Sequence, residues 1–497
     1  MSNQAPVYAT YTPSPVSEYG GNPLIEALPP ILSEQEAACL IGHFPDGSEQ
    51  ERGLPKEVRL HCIDRLRTVV QPLEIHLELE SAVSSLIRSG YVSRNPMLAA
   101  TWRHLHTLST DRRAMANFQS SATTFSLVGL SGIGKTTALN SILRLYPQTI
   151  LHKRYKDREF IHTQIVWLKI ECPFDGSLSG LCHAFFRAVD QALGQQKYAK
   201  RYKSKGGILE MIQRMEQIAS TYFIGAIFID ELQHLNAAKT GGKDNMLNFF
   251  VNLINTIGIP VVFIGTNSMV ELFSDVLRNA RRACGLGTYD FKQPEESGDA
   301  WTLLVDTIWE YQWVSNPAVL TDGIRATLYD LTQGVTDFLA KLMILGQRYA
   351  IQSNEETLTE AVFKHVADTK MKLLKPALAV LRSRDPKKMR KFEDLMPTDD
   401  QLDDMMIDAG VLSTESRLSI LRNAKSTRGT PTATAPTIEE QPPSAPSPQQ
   451  LAGNIPQSTP TISATIAEQA NPLETLRLAN WLQTDALEFS DSYCKSA

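Results

Sequence analysis

Residues 129–137 read GLSGIGKTT. They follow an apolar run, Thr124–Val128, and precede the helix-forming stretch TALNSILRLY. Gly129, Gly134, Lys135 and Thr136 match the spacing G-x-x-x-x-G-K-[ST]. Glycines let successive backbone N–H groups turn inward around one anion. Ser131, Gly132, Ile133 and Thr137 complete such a cradle. Lys135 would bring a point charge to the β- and γ-phosphates, and the Thr136 hydroxyl an oxygen ligand for Mg²⁺. A helix beginning near Lys135 would present its positive end to the same anion. Placed after an apolar strand and before a helix, the motif is a strong sign of a phosphate-binding loop.

The flanking pattern agrees. From about 124 to 291, apolar runs alternate with helical stretches. The expected strands are Thr124–Val128, Ile165–Ile170, Ala226–Ile229, Pro260–Gly265 and Tyr289–Phe291. They are runs without strict alternation, as in a sheet covered on both faces. FIGAIFIDELQHL ends its strand in Asp230–Glu231. At the C-terminal edge of a parallel strand, Asp230 can hold Mg²⁺ through water. Glu231 can take a proton from an attacking water. PVVFIGTN ends a strand in Gly265-Thr266-Asn267, where Thr266 or Asn267 could read a γ-phosphate or orient that water.

The expected organisation is an extended N-terminal arm (1–53) with one short helix, Ser33–Ile41, and a helical extension (54–118) with GYVSRNPM, Gly90–Met97, as a turn. An α/β core (119–298) and a helical lid (299–392) follow. Then comes a linker, acidic and later Pro/Ser/Thr-rich (393–472), which cannot build a core. The last segment, 473–497, carries an apolar-biased helix. It is either a docking peptide or a helix that folds back on its own chain.

The 497 residues carry 49 Lys and Arg against 54 Asp and Glu, a net charge of −5. A uniformly basic nucleic-acid coat is excluded, while a local basic site is not. The densest apolar runs, Phe223–Ile229 and Ile259–Ile264, fall far short of the ~20 residues a spanning helix needs. The first residues lack the charged and apolar regions of a secretory signal. Six scattered cysteines without a CxxC pair read as buried reduced thiols in the cytoplasm, with no structural metal.

A P-loop, an Asp-Glu strand, a strand ending in Thr-Asn and a helical lid together resemble the AAA+ ATPases. GLSGIGKTT, GYVSRNP, QIVWLKIECPFDGS, AIFIDELQHL, VVFIGTN and NARRACGLGTYDF resemble the TnsC branch, related to TniB, over about 54–391. These are ATP-dependent regulators of TnsA/TnsB-type DNA transposons. The resemblance implies ATP and Mg²⁺ as ligands, and a ring or helical filament of identical subunits on double-stranded DNA. It also implies a target selector (a TniQ/TnsD-type protein or a guide-RNA complex) and the transposase as partners, with hydrolysis resetting the assembly. A DNA-replication loader or remodeller of the same fold, and an adaptor that binds nucleotide without hydrolysing it, are the alternatives.

Two features bear on rate. AAA+ lids often carry G-x-x-R, but here Gly334 is followed by Asp337. Lys341, one turn on, could substitute for it but reads rather as a solvated lysine, and a slow switch fits this better than a motor. An arginine acting across a subunit interface is expected before the last core strand, with Arg281 first and Arg282 and Arg278 as the other candidates.

DNA contacts must come from local charge. His152–Arg158 offers Lys153, Arg154 and Lys156. Lys197–Lys205 offers Lys197, Lys200, Arg201, Lys203 and Lys205 with tyrosines between them. Such contacts would be sequence-independent and salt-sensitive. A third run, Lys364–Lys391, holds ten bases against two acids, and acids from Glu393 to Asp408 reverse its sign. Charge runs of this kind are more often simply solvated.

Overall fold

The computed structural model describes residues 5–47, 49–110, 120–201, 207–237, 258–269 and 287–389, with the single positions 254, 392, 396 and 406. Most of the chain before the core is helical. Its elements are β1 (Val7–Tyr8), α1 (Pro23–Glu26), α2 (Glu34–Ile41), α3 (Lys56–Cys62), α4 (Glu74–Val92) and α5 (Ala99–Thr110). Ser33 caps α2 in a capping box with Glu36. Pro72 falls in the break between the 3₁₀ turn Ile63–Thr68 and α4.

The core begins with β2 (Thr124–Gly129) and α6 (Lys135–Leu143). A hairpin, β3 (Thr149–Tyr155) and β4 (Arg158–Ile165), leads to β5 (Trp167–Glu171) and α7 (Leu178–Ala192). Then come α8 (Tyr198–Arg201), α9 (Ile208–Thr221), β6 (Ala226–Asp230), β7 (Val261–Gly265) and β8 (Thr288–Phe291). The main sheet runs β5-β6-β7-β2-β8, all parallel. So β7 lies between the Asp-Glu strand and the phosphate-loop strand, and all three C-terminal ends meet at one edge, the usual ligand edge of an open α/β sheet.

Alternation along the strands sorts the core into two layers. Phe125, Leu127, Phe228, Val262 and Ile264 join the cluster that includes α4 and α6. Val128, Ile227, Ile229, Val261 and Phe263 join the cluster of α7 and α9, with Phe185, Phe186, Met211 and Met215. Among the described residues six further helices form the lid: α10 (Asp299–Trp309), α11 (Asp322–Thr332), α12 (Thr336–Ser353), α13 (Glu360–Thr369), α14 (Lys375–Ser383) and α15 (Pro386–Met389). Trp301, Trp313, Phe338, Leu342 and Phe363 are buried there.

Three sequence expectations change. The N-terminal arm is packed, not extended. Leu24, Ile25 and Leu28 are buried, β1 pairs with β3, and Tyr155 donates to Glu26 Oε2 at 2.7 Å. Gly90 is helical, because α4 runs on to Val92 before turning. Its missing side chain matters: a Cβ there would lie 2.5 Å from Pro260 Cγ, so α4 can approach the start of β7. The third is the β3–β4 hairpin, absent from the expected strands. It forms a separate three-stranded sheet with β1, and Ile165 ends β4 instead of starting β5.

Candidate functional site

Turns with positive φ at Gly132 (77°) and Gly134 (105°) shape the loop after β2, conformations glycine adopts without strain. Lys135 opens α6 and is buried, with Nζ donating to the carbonyls of Gly129 (2.9 Å) and Leu130 (2.8 Å). Thr136 Oγ1 donates to Asp230 Oδ2 at 2.9 Å. Thus the hydroxyl at the start of α6 and the carboxylate at the end of β6 converge. Ser131 and Thr137 line the same cleft, of about 430 Å³, with Gly132–Thr136, Glu231, Gln233 and Thr266.

Asp230 is 3% exposed. Its Oδ1 accepts the Glu231 amide (3.1 Å), and its Oδ2 also receives Lys169 Nζ from β5 at 3.0 Å. Glu231 has a φ of 57°, a strained value for a non-glycine residue. Surrounding protein raises its pKa, and the neighbouring Asp230 charge adds to the rise, with Lys135 and His234 opposing. Gln233 donates to Glu231 Oε2 and accepts the Thr266 amide on its own Oε1 at 3.3 Å. One side chain therefore joins the candidate base to the end of β7.

Thr266 is buried at the cleft, whereas Asn267 is exposed and outside the lining. The lid meets the phosphate loop directly. Thr336 Oγ1 and the Asp337 amide both donate to the Gly132 carbonyl at 3.0 Å. Lys341 departs from the solvated reading. It is 9% exposed, lines the cleft and pairs with Asp337. The i,i+4 spacing on α12 puts both on the face turned to the loop.

The far wall comes from unforeseen places. Val69, Val70 and Leu73 before α4, with Leu304, Ile308 and Ile344 of the lid, make an apolar slot beside the phosphate loop. His76 lines it too. Burial lowers its pKa to about 4, so it is neutral, and Nδ1 accepts the Leu73 amide. The proton is therefore on Nε2. Only a run of apolar residues around Pro72 hinted at this wall, and such runs also fit ordinary packing.

For a divalent cation, the donor set is hard oxygen: a buried carboxylate and a hydroxyl at contact distance. Mg²⁺ is typically held by one or two protein oxygens plus substrate phosphates. Among the described residues no cluster of three or more His, Cys, Asp or Glu could hold a metal by itself. The residues fit Mg²⁺ brought with a nucleotide.

The basic candidates among the described residues lie elsewhere and do not line the cleft. Lys153 and Arg154 project from β3, and Lys156 sits in the hairpin turn; all three are exposed. Lys153 Nζ stands 4.2 Å from the Tyr8 ring centre. Lys197, Lys200 and Arg201 are exposed around α8. The carboxylate of Asp190, 4% exposed, holds this segment by accepting the amides of Lys197, Tyr198 and Ala199 at 2.8–3.1 Å. Lys203, Lys205, Arg278, Arg281 and Arg282 lie outside the described residues, as does the 473–497 helix. No helix among the described residues is long and apolar enough to cross a membrane.

No curated protein matches the chain. Among solved structures, it is similar to the Aeropyrum pernix ORC1 protein in complex with DNA, at 17% identity and TM-score 0.38, covering 69% of this chain and 83% of that one. Cdc6p from Pyrobaculum aerophilum is 13% identical with TM-score 0.35, over 68% and 89%. A RuvB variant from Thermotoga maritima is 11% identical with TM-score 0.30, over 56% and 75%. Residues 119–273 match the family model described as AAA domain, and the parallel sheet with its phosphate loop is an AAA+ P-loop core.

Proposed function

We propose that the chain is an ATP-driven switch that assembles on duplex DNA and regulates transposition, joining a target selector to the transposase. The observation that carries the chemistry is that Lys135, Thr136, Glu231 and Thr266 line one cleft, with the Asp230 carboxylate bonded to the Thr136 hydroxyl beside it. Its apolar slot suits a flat base, and the glycine loop beside it suits phosphates.

In this reading the backbone amides of Ser131–Thr136 and Lys135 hold the phosphates. A bound Mg²⁺ supplies neutralisation of charge on the β- and γ-phosphates. Glu231 accepts a proton from the water that attacks the γ-phosphorus. The bond to the bridging oxygen breaks, giving ADP and phosphate. The upward direction of the Glu231 shift is the one that makes a carboxylate a stronger base. Gln233 aims that carboxylate and ties it to Thr266, so a phosphate arriving at β7 would be felt at the base. Asp337 stands where a lid arginine is usual, and the Lys341 it holds brings a lid cation to the cleft instead.

Several sequence features support the transposition reading. GYVSRNP places Arg94 in the interior, where it donates to the carbonyls of Gly90, Ile224 and Gly225. The motif thus fastens the helical extension to the segment entering the Asp-Glu strand. The exposed bases of β3, the hairpin turn and α8 are the proposed phosphate contacts on DNA, with Arg281, Arg282 or Arg278 acting across the subunit interface.

Imaging on duplex DNA with ATP, with a non-hydrolysable analogue and with ADP tests this. Rings or filaments in the triphosphate states alone are expected. Assembly in no state contradicts the proposal. Triphosphate-dependent assembly that leaves strand transfer by a cognate transposase unchanged would point instead to a replication-type remodeller.

A further inference from the structure

We infer that Lys169 is a tethered cation competing with the metal for Asp230, and that it sets how much Mg²⁺ the site requires. The inference rests on the proposed nucleotide site. In the β5–β6 register Lys169 stands opposite Phe228, which places Asp230 diagonally across on the same face. Lys169 reaches over to the carboxylate, Nζ to Oδ2 at 3.0 Å, with side-chain exposures of 13% and 4%. That oxygen is also the one that receives the Thr136 hydroxyl. One atom of Asp230 therefore faces both the lysine and the hydroxyl expected to take a metal.

Two effects oppose each other here. A buried carboxylate with only amide and hydroxyl donors would carry an uncompensated charge, and Lys169 compensates it. A divalent cation drawn to the same carboxylate meets a positive charge already in place, and like charges repel strongly where water is scarce. The ammonium has a second acceptor within reach: Asn140 Oδ1, on α6, is 3.3 Å from Nζ. Lys169 can thus release Asp230 without losing every partner. Beyond Asn140 lies a groove of about 840 Å³ that Lys169 also lines, and Glu171 there offers a carboxylate. Metal arriving with its nucleotide would move Lys169 from Asp230 toward Asn140. Free metal, without phosphates to share its charge, would be held poorly. The site would then take up the metal–nucleotide complex in preference to metal alone.

The test measures binding of a fluorescent ATP analogue across a Mg²⁺ titration, so it does not depend on turnover. Lys169→Met should lower the Mg²⁺ midpoint by about tenfold, the scale expected for removing one partly shielded charge. Lys169→Arg, which keeps the charge, should leave the midpoint near wild type. An unchanged or raised midpoint in Lys169→Met overturns the inference while the nucleotide site stands. No binding by wild type at any Mg²⁺ concentration overturns the underlying reading of the site. Should Lys169→Met fail to fold, Lys169→Gln gives the same readout with hydrogen bonding retained. Loss of the fold in both would make Lys169 a structural residue and contradict the inference.

Discussion

The amide of Asp337 donates to the carbonyl of Gly132 across 3.0 Å, so α12 of the lid starts against the phosphate loop itself. Gly132 has a φ of 77°, and a Cβ there would lie 3.2 Å from Asp337 Cβ. Gly132→Ala should therefore strain the loop and push the lid away, destabilising the fold by roughly 1–3 kcal/mol. Thermal melting with and without nucleotide checks this. Both the melting temperature and the nucleotide-induced rise should fall. An unchanged rise would mean that the lid contact has no bearing on ligand binding.

Lys341 is the lid's cation at the cleft, held by Asp337. Replacing it with Met should weaken triphosphate binding more than diphosphate binding, because the extra phosphate carries the extra charge. A loss of about tenfold in their ratio is expected for one charge-assisted contact. Asp337→Asn, which frees the lysine, should move the ratio the other way. Titration of both nucleotides against each variant gives the answer.

Arg59 and Glu356 form a two-pronged pair, both bonds 2.8 Å, between α3 and the segment before α13. Hydrogen bonding from Arg59 leads the causes that hold the Glu356 pKa down at about 2. The unfolded value is about 4.3. The folded form thus binds fewer protons in between. The pair's contribution is complete above the unfolded value and is lost as pH falls toward 2. Urea unfolding at pH 7 and pH 3 should show wild type losing more stability than Glu356→Gln over that interval. The variant should already be weaker at pH 7, since it leaves the buried Arg59 without its carboxylate.

Asp190 accepts three successive backbone amides at the start of the basic α8 segment. Asp190→Ala leaves them without that partner and should destabilise by about 1–3 kcal/mol. If the segment contacts DNA, the variant should also bind duplex more weakly and with a shallower salt dependence. Fluorescence anisotropy at several salt concentrations measures both. Loss of stability with unchanged DNA binding would remove α8 from the DNA path.

The parts legible in the sequence were those where local chemistry fixes the answer. GLSGIGKTT and the Asp230–Glu231 step mark strand ends because glycine turns and paired acids have few other uses beside apolar runs. The β3–β4 hairpin was hidden because its residues, including Lys153, Arg154 and Lys156, are charged and alternate without an apolar stripe. Its inner face, His152, Tyr155 and Phe160, is covered only through tertiary packing. Lys169 and Lys341 read as ordinary lysines for the same reason. Asp230, the partner of Lys169, lies across the sheet, and Lys341, though paired with Asp337 one turn away, faces a cleft that exists only once the chain is folded. Gln233 follows Glu231 by two residues, but its second bond goes to Thr266 on another strand.

The central claim is that Glu231 times the release of a nucleotide-bound assembly from DNA. The direct measurement is the lifetime of Glu231→Gln assemblies on duplex DNA after excess ATP is removed, beside wild type. The account predicts nucleotide binding close to wild type and hydrolysis slowed by about 10² or more. It also predicts assemblies that persist long after the wild-type ones have gone. A variant that disassembles at the wild-type rate, with ATP turned over as before, would contradict it.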